Sequence, residues 1–355
     1  MERGTFSEVL LRWYYLNKRD LPWRNTKDPY KIWLSEVILQ QTRVVQGLPY
    51  YNKFVDKYPT VIDLANADEK EVLRLWQGLG YYSRARNMHL TAKIIANELG
   101  GQFPETYEGL VKLKGIGPYT AAAVASFAFD EKVAVVDGNV YRVLARIFGV
   151  ETDISSHEAK KVFGNLANQV ISEEHPGIHN QAMMEFGAIH CTPANPACMF
   201  CVFHYDCVAN AQGKQTLLPV KSKKVKVKNR FFDYFVIEQE DQLLMTQRAS
   251  KDIWSGLYDF YLVENEVNLL NLDELKDDFL EEVLSKAIIK EVSDVYKHIL
   301  THQRIEVRFW HITIHANATL NLPLGYAFYS WEEVENLPKP ILIEKYLKRQ
   351  EKQIF

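Results

Sequence analysis

The four cysteines of this 355-residue chain are grouped in a way that suits a metal ion or a metal cluster. They are Cys191, Cys198, Cys201 and Cys207, in the spacing C-x6-C-x2-C-x5-C. Thiols clustered like this, in a chain whose first residues lack a signal-peptide pattern, favour a metal site over scattered disulfides. Four thiolates suit tetrahedral zinc, and they also suit an iron–sulfur cluster. The residues by themselves leave both possibilities open.

Two carboxylates could perform acid–base chemistry. Glu36 has apolar neighbours on every face of a predicted helix, so we expect it to be buried. Burial disfavours the charged form and raises the pKa, which suits a general acid. The alternative is a glutamate on a narrow strip that faces solvent.

The second carboxylate, Asp137, ends an apolar run that begins at Val133 and stands just before a predicted helix. Aspartate is a preferred N-cap, and Asp-Gly is a common turn, so a structural role alone would explain it. A capping aspartate accepts backbone N–H groups and is expected to stay ionised. One carboxyl inclined to be neutral and one inclined to be charged is the division of roles used in glycosidic bond cleavage.

A glycine-rich turn forms a third candidate site. Gly115 and Gly117 flank Ile116, with helical sequence on both sides. Glycines let backbone N–H groups crowd together and point outward, and a helix N-terminus behind them favours a phosphate. An ordinary helical hairpin with a glycine turn is the alternative.

The elements that must position these residues are helical up to about residue 210. The sequence predicts helices at 30–43 and 118–129, among others, whereas the rest is mixed α/β, with paired strands at 233–238 and 243–247. Residues 211–230 between them contain seven Lys or Arg and no acid. We therefore predict a helical domain at 1–211, a basic linker at 212–230 and a second domain at 231–355.

Composition restricts the function classes only weakly. The net charge is −3, and residues 231–355 hold 22 acidic against 13 basic side chains. This balance argues against nucleic acid as a partner, while the basic linker argues for it. No apolar run reaches about 18 residues, so we expect no membrane helix and a cytoplasmic protein.

Four motifs carry a resemblance that covers nearly the whole chain; they are Leu21-Pro22-Trp23-Arg24, Ser35-Glu36-Val37-Ile38-Leu39-Gln40-Gln41-Thr42, Gly78-Leu79-Gly80-Tyr81-Tyr82-Ser83-Arg84 and Val136-Asp137-Gly138-Asn139-Val140. With the cysteine spacing and the glycine turn, they resemble the MutY family within the helix-hairpin-helix, endonuclease III-like DNA glycosylases. The resemblance implies a mainly α N-terminal region with a [4Fe–4S] loop at 191–207. It also implies a C-terminal α+β, Nudix-like domain that recognises 8-oxoguanine.

The resemblance implies roles for single residues. Glu36 would protonate the adenine that leaves, Asp137 would stabilise the sugar cation, and Tyr119 and Asn139 would support them. The four cysteines would hold the [4Fe–4S] cluster. The remaining residues would contact the base or the duplex: Arg24 in the adenine pocket, Gln41, Leu79 and Tyr81 near the mispair, Gly115 and Gly117 at the backbone, and Thr301 and His302 at the opposite base.

The implied activity is removal of adenine mispaired with 8-oxoguanine or guanine in double-stranded DNA, by a bacterial monomer at the nucleoid. Family members that also cut the strand carry a lysine where this chain has Tyr119, so we expect base removal only. Relatives read 8-oxoguanine with Phe-Ser-His, where this chain has Leu300-Thr301-His302.

Three alternatives remain at this point. They are a pyrimidine-specific glycosylase/lyase, a non-catalytic DNA-binding protein held together by a metal, and a Nudix hydrolase with a helical appendage. The Nudix metal box is missing: Glu281-Glu282 lacks the Arg-Glu pair before it.

Overall fold

The computed structural model of the chain describes residues 3–222, 226–249, 252–269, 271–272 and 276–354. Two compact units divide the fold. The first contains Met1–Asn66 and Asn87–Lys223, and the second contains Ala67–Arg86 and Lys224–Phe355. A segment from the helical half of the sequence thus belongs to the unit of the C-terminal sheet. Residues 223–225 of the predicted linker lie outside the described residues, and the predicted boundaries at 211 and 230 stay a prediction.

The helical half of the chain is built from short α-helices, with 3₁₀ turns at Pro22–Arg24 and Cys198–Phe200 and a π-helix at Phe186–His190. In chain order the α-helices are α1 (Arg3–Asn17), α2 (Pro29–Leu39), α3 (Val44–Lys57), α4 (Val61–Asn66), α5 (Glu69–Leu75), α6 (Ser83–Glu98), α7 (Tyr107–Leu110), α8 (Pro118–Phe129), α9 (Gly138–Phe148), α10 (His157–Val170), α11 (Pro176–Glu185) and α12 (Val208–Ala211).

Helix α2 begins as its sequence indicates and ends sooner. The Asp28 side chain accepts the Tyr30 N–H at 2.9 Å, and proline occupies the first helical position. The predicted end at residue 43 is wrong, because the helix stops at Leu39 and Gln41 adopts a left-handed backbone with φ 55°. The chain turns there into α3, whose Gly47 approaches so closely that a Cβ on it would lie 2.8 Å from Leu39 Cδ2.

The core of the helical unit connects the N-terminal helix with the cysteine loop. Phe6 of α1 stacks on Phe203 of that loop, with ring centroids 4.9 Å apart. Phe163 of α10 and Phe186 of the π-helix are fully buried in the same cluster, and Cys207 is buried with them. The loop that carries the cysteines is therefore part of this core.

The second unit combines the segment Ala67–Arg86, which contains α5, with an eight-stranded sheet and the described helices that follow Lys224. Its elements after Lys224 are β1 (Lys228–Gln239), β2 (Gln242–Gln247), β3 (Tyr258–Asp259), β4 (Tyr261–Asn265), α13 (Asp278–Ser285), β5 (Ala287–Val292), β6 (Tyr296–Ile299), β7 (Gln303–Ile314), β8 (Tyr326–Ser330), α14 (Trp331–Asn336) and α15 (Ile341–Ile354).

The centre of this sheet is the parallel pair of β1 and β7, and the other strand pairs are antiparallel. The path runs β3-β2-β1-β7-β5. The predicted hairpin between the first two strands is confirmed, since Glu238 pairs with Leu243. Glu240 and Asp241 both have positive φ, as a two-residue hairpin turn requires. The helical first half and the sheet-containing second half confirm the predicted fold class.

No helix in the described ranges combines the length and the apolar character that crossing a bilayer requires.

Candidate active site

A cavity of about 480 Å³ in the helical unit brings together the predicted chemical residues. It lies where α2, α8, α9 and α11 meet, and its volume falls in the range of sites for small ligands. Six residues singled out from the sequence line it: Arg24, Glu36, Gln41, Tyr119, Asp137 and Asn139.

Glu36 is buried in the wall of this cavity, with 6% of its surface exposed. The burial of Glu36 that its apolar neighbours predict is therefore confirmed, and the alternative of a glutamate facing solvent is wrong. Burial raises the pKa of Glu36 to about 7, while the hydrogen bond from the Tyr119 hydroxyl acts in the opposite direction. That hydroxyl donates to Glu36 Oε2 at 2.7 Å. A carboxyl with this pKa is partly protonated at neutral pH and can donate a proton.

Asp137 also lines the cavity, and it caps helix α9. Its Oδ1 accepts the backbone N–H groups of Asn139 and Val140, both at 2.8 Å, and its Oδ2 accepts the Asn139 side-chain amide at 2.7 Å. Burial raises the pKa of Asp137, and the three hydrogen bonds partly offset this. These donors fix the direction in which the carboxylate faces the cavity.

Arg142 holds Asn139 in place and was missed by the sequence reading. Its Nη2 donates to Asn139 Oδ1 at 2.8 Å and to the Gly187 carbonyl at 2.7 Å, while its Nε donates to the Cys191 carbonyl at 2.8 Å. One guanidinium thus connects the Asp137–Asn139 pair to the backbone of the first cysteine. No local sequence pattern predicts the contacts with Gly187 and Cys191, since these partners lie 45 and 49 residues from Arg142.

A buried ion cluster forms another part of the cavity wall. Glu185, the last residue of α11, is fully buried, and it receives Arg24 Nη2 at 2.7 Å and both Nε and Nη2 of Arg19. Burial alone would raise the pKa of Glu185, but the hydrogen bonds from Arg19 and Arg24 outweigh it and lower the pKa to about 2. Glu185 and Arg19 were also missed, because the sequence separates the partners by more than 160 positions.

The glycine turn joins α7 and α8 as predicted, and its two glycines differ in their constraints. Gly115 has φ 93°, and a Cβ there would lie 2.7 Å from Thr91 Oγ1. Gly117 is the N-cap of α8, and a Cβ on it would meet nothing within 4 Å. Glycine is therefore required at 115 by the backbone, and its presence at 117 leaves space in front of the helix N-terminus.

Two residues predicted to enter the duplex share an unusual backbone conformation. Gln41 of the helical unit has φ 55°, and Tyr81 of the sheet unit has φ 49°. Residues other than glycine adopt this left-handed region at a cost of about 1–2 kcal/mol, so the surrounding structure must hold them there. Both side chains are exposed, whereas Leu79 is buried with 6% exposure.

Within the sheet unit, a second cavity of about 850 Å³ is lined by Leu79, Tyr81, Trp254, Thr301 and His302, among others. Thr301 and His302 are exposed in the tight turn between β6 and β7. The Tyr81 hydroxyl and Thr301 Oγ1 form a hydrogen bond. Tyr81, predicted to enter the duplex, and Thr301, predicted to contact the opposite base, therefore line the same cavity.

The four cysteines face one small cavity in the helical unit, together with His190 and Arg146. Arg146 Nη1 and the Phe203 backbone N–H lie within 3.4 Å of Cys191 Sγ and Cys201 Sγ, respectively. Among the described residues, no three His, Cys, Asp or Glu side chains are placed to hold one metal ion.

Comparison with known proteins gives a consistent result for both halves of the chain. Residues 34–169 match the model of the HhH-GPD superfamily of base excision DNA repair proteins, and residues 233–349 match that of the NUDIX domain. The chain is similar to the adenine DNA glycosylase of Buchnera aphidicola subsp. Schizaphis graminum, with 32% identity over 95% of this chain and 96% of the relative. It is also similar to that of Mus musculus, with 32% identity over 93% of this chain and 75% of the relative.

Among solved structures, the chain is similar to a thermostable thymine-DNA glycosylase, with TM-score 0.55 and 31% identity over 59% of this chain and 97% of that one. An endonuclease III–DNA complex has TM-score 0.51 and 23% identity, over 61% of this chain and 99% of that one. The second likeness concerns the fold alone.

Proposed function

The chain belongs to the adenine DNA glycosylase family of base excision repair, and from this premise we propose that it removes adenine mispaired with 8-oxoguanine or guanine in double-stranded DNA. The bond between adenine N9 and sugar C1′ breaks, adenine leaves with a proton, and water supplies a hydroxyl group to C1′. The product is an abasic site in an uncut strand. We expect the enzyme to act as a monomer in the cytoplasm.

One observation carries this proposal: two carboxyl groups, one bound by a tyrosine hydroxyl and the other by three N–H donors, line one cavity of a size that admits a purine. Glu36, with a pKa raised to about 7 by burial, retains a proton for the leaving base. Asp137, oriented by three hydrogen-bond donors, faces the positive charge that develops on the sugar. Arg24 and Glu185 supply a polar wall for the edge of the base.

The base must leave the helix to reach this cavity, because protein cannot surround the glycosidic bond inside the base stack. Gln41 and Tyr81 are the side chains that we assign to fill the space left behind. Their exposure and their left-handed backbones support this role, and inserted side chains offset part of an unstacking cost of a few kcal/mol. Gly115 and Gly117 would grip the DNA backbone beside the flipped nucleotide.

The absence of strand cutting is proposed from Tyr119. A phenol has no amine and forms no Schiff base with the sugar, and here the hydroxyl already donates to Glu36. The assay that separates base removal from strand cutting compares product with and without alkali treatment.

Replacing Tyr119 by Phe should shift the pH dependence of adenine release. Burial raises the pKa of Glu36, and the Tyr119 hydrogen bond lowers it, so loss of that bond raises the pKa further. Because Glu36 acts in its protonated form, the rate falls as pH rises through the pKa, and this fall should move to higher pH in the variant. Single-turnover rates from pH 5 to 9 measure it, and a fall that moves to lower pH would contradict the assignment of Glu36 as the acid.

Thr301 and His302 are proposed to select the base opposite adenine. 8-Oxoguanine differs from guanine by a carbonyl at C8 and an N–H at N7, so hydrogen-bonding side chains can tell them apart. The two residues offer a hydroxyl and an imidazole beside the cavity of the sheet unit.

The double change Thr301→Ala, His302→Ala should reduce the preference for 8-oxoguanine over guanine by about 10–100-fold, the value of one hydrogen-bonding base contact. The chemical step on bound substrate should stay within a few-fold, because Glu36 and Asp137 lie in the helical unit. Competition between the two duplexes measures the preference. A double variant that discriminates like the parent would place recognition elsewhere.

For the cysteine loop, we propose a [4Fe–4S] cluster held by Cys191, Cys198, Cys201 and Cys207. The four thiols line one cavity, and N–H groups of Arg146 and Phe203 lie 3.4 Å from two of the sulfurs, where they would stabilise the negative charge of a cluster. When bound, such a cluster cross-links the loop. The loop in turn supplies the Cys191 carbonyl that anchors Arg142 behind Asn139.

Protein purified under anaerobic conditions should contain about four iron and four labile sulfide per chain, as a thiolate-held cubane requires. Iron, zinc and acid-labile sulfide are measured together. Cys198→Ala should lower the iron content, and Met199→Ala beside it, an exposed residue, should not. One zinc per chain without sulfide would overturn the cluster assignment.

A further inference from the structure

Residues 78–82 form the Tyr81 loop, whose backbone has little intrinsic stiffness. Gly78 and Gly80, on its N-terminal side, have φ 99° and 72°, and Tyr81 follows in the left-handed region at 49°. Glycines carry a large conformational entropy when unfolded, and tyrosine disfavours this backbone region. The Trp76 indole donates to the Gly80 carbonyl at 3.0 Å, and the Arg84 guanidinium donates to the same carbonyl and lies over the Tyr81 ring. Contacts from more distant residues add to these local ones in holding Tyr81 in this conformation.

Those contacts come from the C-terminal part of the same unit, and the Gln77 side chain makes two of them. Its Nε2 donates to Glu344 Oε2 of α15 at 2.6 Å, and its Oε1 accepts the Lys339 backbone N–H at 3.1 Å. Both ends of one amide are thus engaged by residues more than 260 positions away. This leaves the Gln77 side chain a single orientation, four residues before Tyr81.

Two arginines fasten the same segment on either side of Gln77 and Tyr81. Arg74 donates to the Glu335 carbonyl and to the Leu337 carbonyl, the latter at 3.4 Å, at the end of α14. Arg86 donates to the Ser255 carbonyl. The Tyr81 hydroxyl itself meets Thr301. The loop is therefore attached to the C-terminal part of the chain before, at and after Tyr81.

We propose that the C-terminal region, through Gln77, holds the Tyr81 loop in its insertion-ready conformation before DNA binds. Gln77 is a positioning residue that acts through Tyr81 and touches no substrate. The inference rests on the proposed function, in which Tyr81 enters the duplex. It goes beyond that function because it gives the C-terminal region a second task, in base flipping as well as in reading the opposite base.

A double-mutant cycle in the full-length chain tests this. Gln77→Ala should slow single-turnover adenine release from an 8-oxoguanine:adenine duplex by about tenfold, a typical coupling for residues in one network. In the Tyr81→Ala background the same change should alter the rate by less than about twofold. Equal losses in both backgrounds would overturn the proposal. Gln102→Ala, which truncates an exposed glutamine in the helical unit, is the control.

Two further measurements separate positioning from general damage. Amide hydrogen exchange of residues 78–82 should be about tenfold faster in Gln77→Ala, while the core strand β7 keeps the protection of the parent. The pair Gln77→Glu with Glu344→Gln restores a donor and an acceptor across the contact. It should therefore recover most of the rate that either single change loses; no recovery would contradict the role of this contact.

The exchange measurement needs no substrate, so it also decides the inference if the parent should fail to release adenine. A parent enzyme that releases no adenine would contradict the proposed function. Unchanged exchange of residues 78–82 in Gln77→Ala would contradict only the positioning role of Gln77.

Discussion

Glu36→Gln should lower the rate of adenine release by about 10²–10⁴-fold, the usual contribution of a placed general acid. Glutamine has nearly the shape of glutamate and still accepts the Tyr119 hydroxyl, but it has no proton to give to the leaving base. Binding of the 8-oxoguanine:adenine duplex should remain close to that of the parent. Single-turnover rates and fluorescence anisotropy measure the two effects separately.

The same variant should be more stable than the parent at alkaline pH. Burial raises the pKa of Glu36 to about 7, above its value in an unfolded chain, so the ionised side chain destabilises the fold once pH exceeds that range. The penalty is fully present above about pH 7, falls as pH drops, and vanishes below about pH 4.5. At pH values above this range, the ionised Glu36 side chain lowers the free energy of unfolding by about 3 kcal/mol.

Unfolding at pH 8 and at pH 5 tests this, and Glu98→Gln on an exposed helix end serves as a control without burial. A rate loss below about tenfold, together with unchanged stability at pH 8, would show that Glu36 is neither the acid nor a strained buried charge.

Asp137→Asn should reduce adenine release by about 10²–10³-fold, the range for removing one preorganised electrostatic group. Asparagine is a good N-cap, so helix α9 keeps its cap while the negative charge facing the sugar is lost. One hydrogen bond is also lost, because the Asn139 amide would meet a second amide where Oδ2 now accepts it.

The negative charge of Asp137 contributes to the raised pKa of Glu36. Asp137→Asn should therefore lower that pKa and move the alkaline fall in rate to lower pH. Asp56→Asn, at an exposed position of α3 in the same unit, is the matched control for loss of charge. A rate within a few-fold of the parent would remove Asp137 from the chemistry and leave it as a cap.

Sequence alone identified those features of the site that depend on short stretches of chain. The apolar neighbours of Glu36, the cap at Asp137 and the spacing of the cysteines are local patterns, and the structure places the first two in one cavity and the cysteines around another. The helix at 118–129 and the hairpin after β1 are local for the same reason.

Residues whose role comes from tertiary contacts could not be found this way. Glu185 meets Arg19 and Arg24 across more than 160 positions, and Arg142 meets the Cys191 carbonyl across 49. Nothing in the sequence indicates that residues 67–86 join the C-terminal unit, because helical periodicity is the same whichever surface the helix packs on. The early end of α2 was missed because Gln41 adopts its left-handed backbone against its local preference.

The central claim, removal of adenine without strand cutting, is tested most directly by incubating the full-length protein with an end-labelled duplex that contains one 8-oxoguanine:adenine pair. The products are resolved with and without alkali, which cleaves abasic sites. We predict a shortened adenine strand only after alkali, its absence with Glu36→Gln, and a much slower reaction when thymine replaces adenine. An uncut strand after alkali would contradict the proposed function, and cutting without alkali that depends on Glu36 would contradict the monofunctional mechanism.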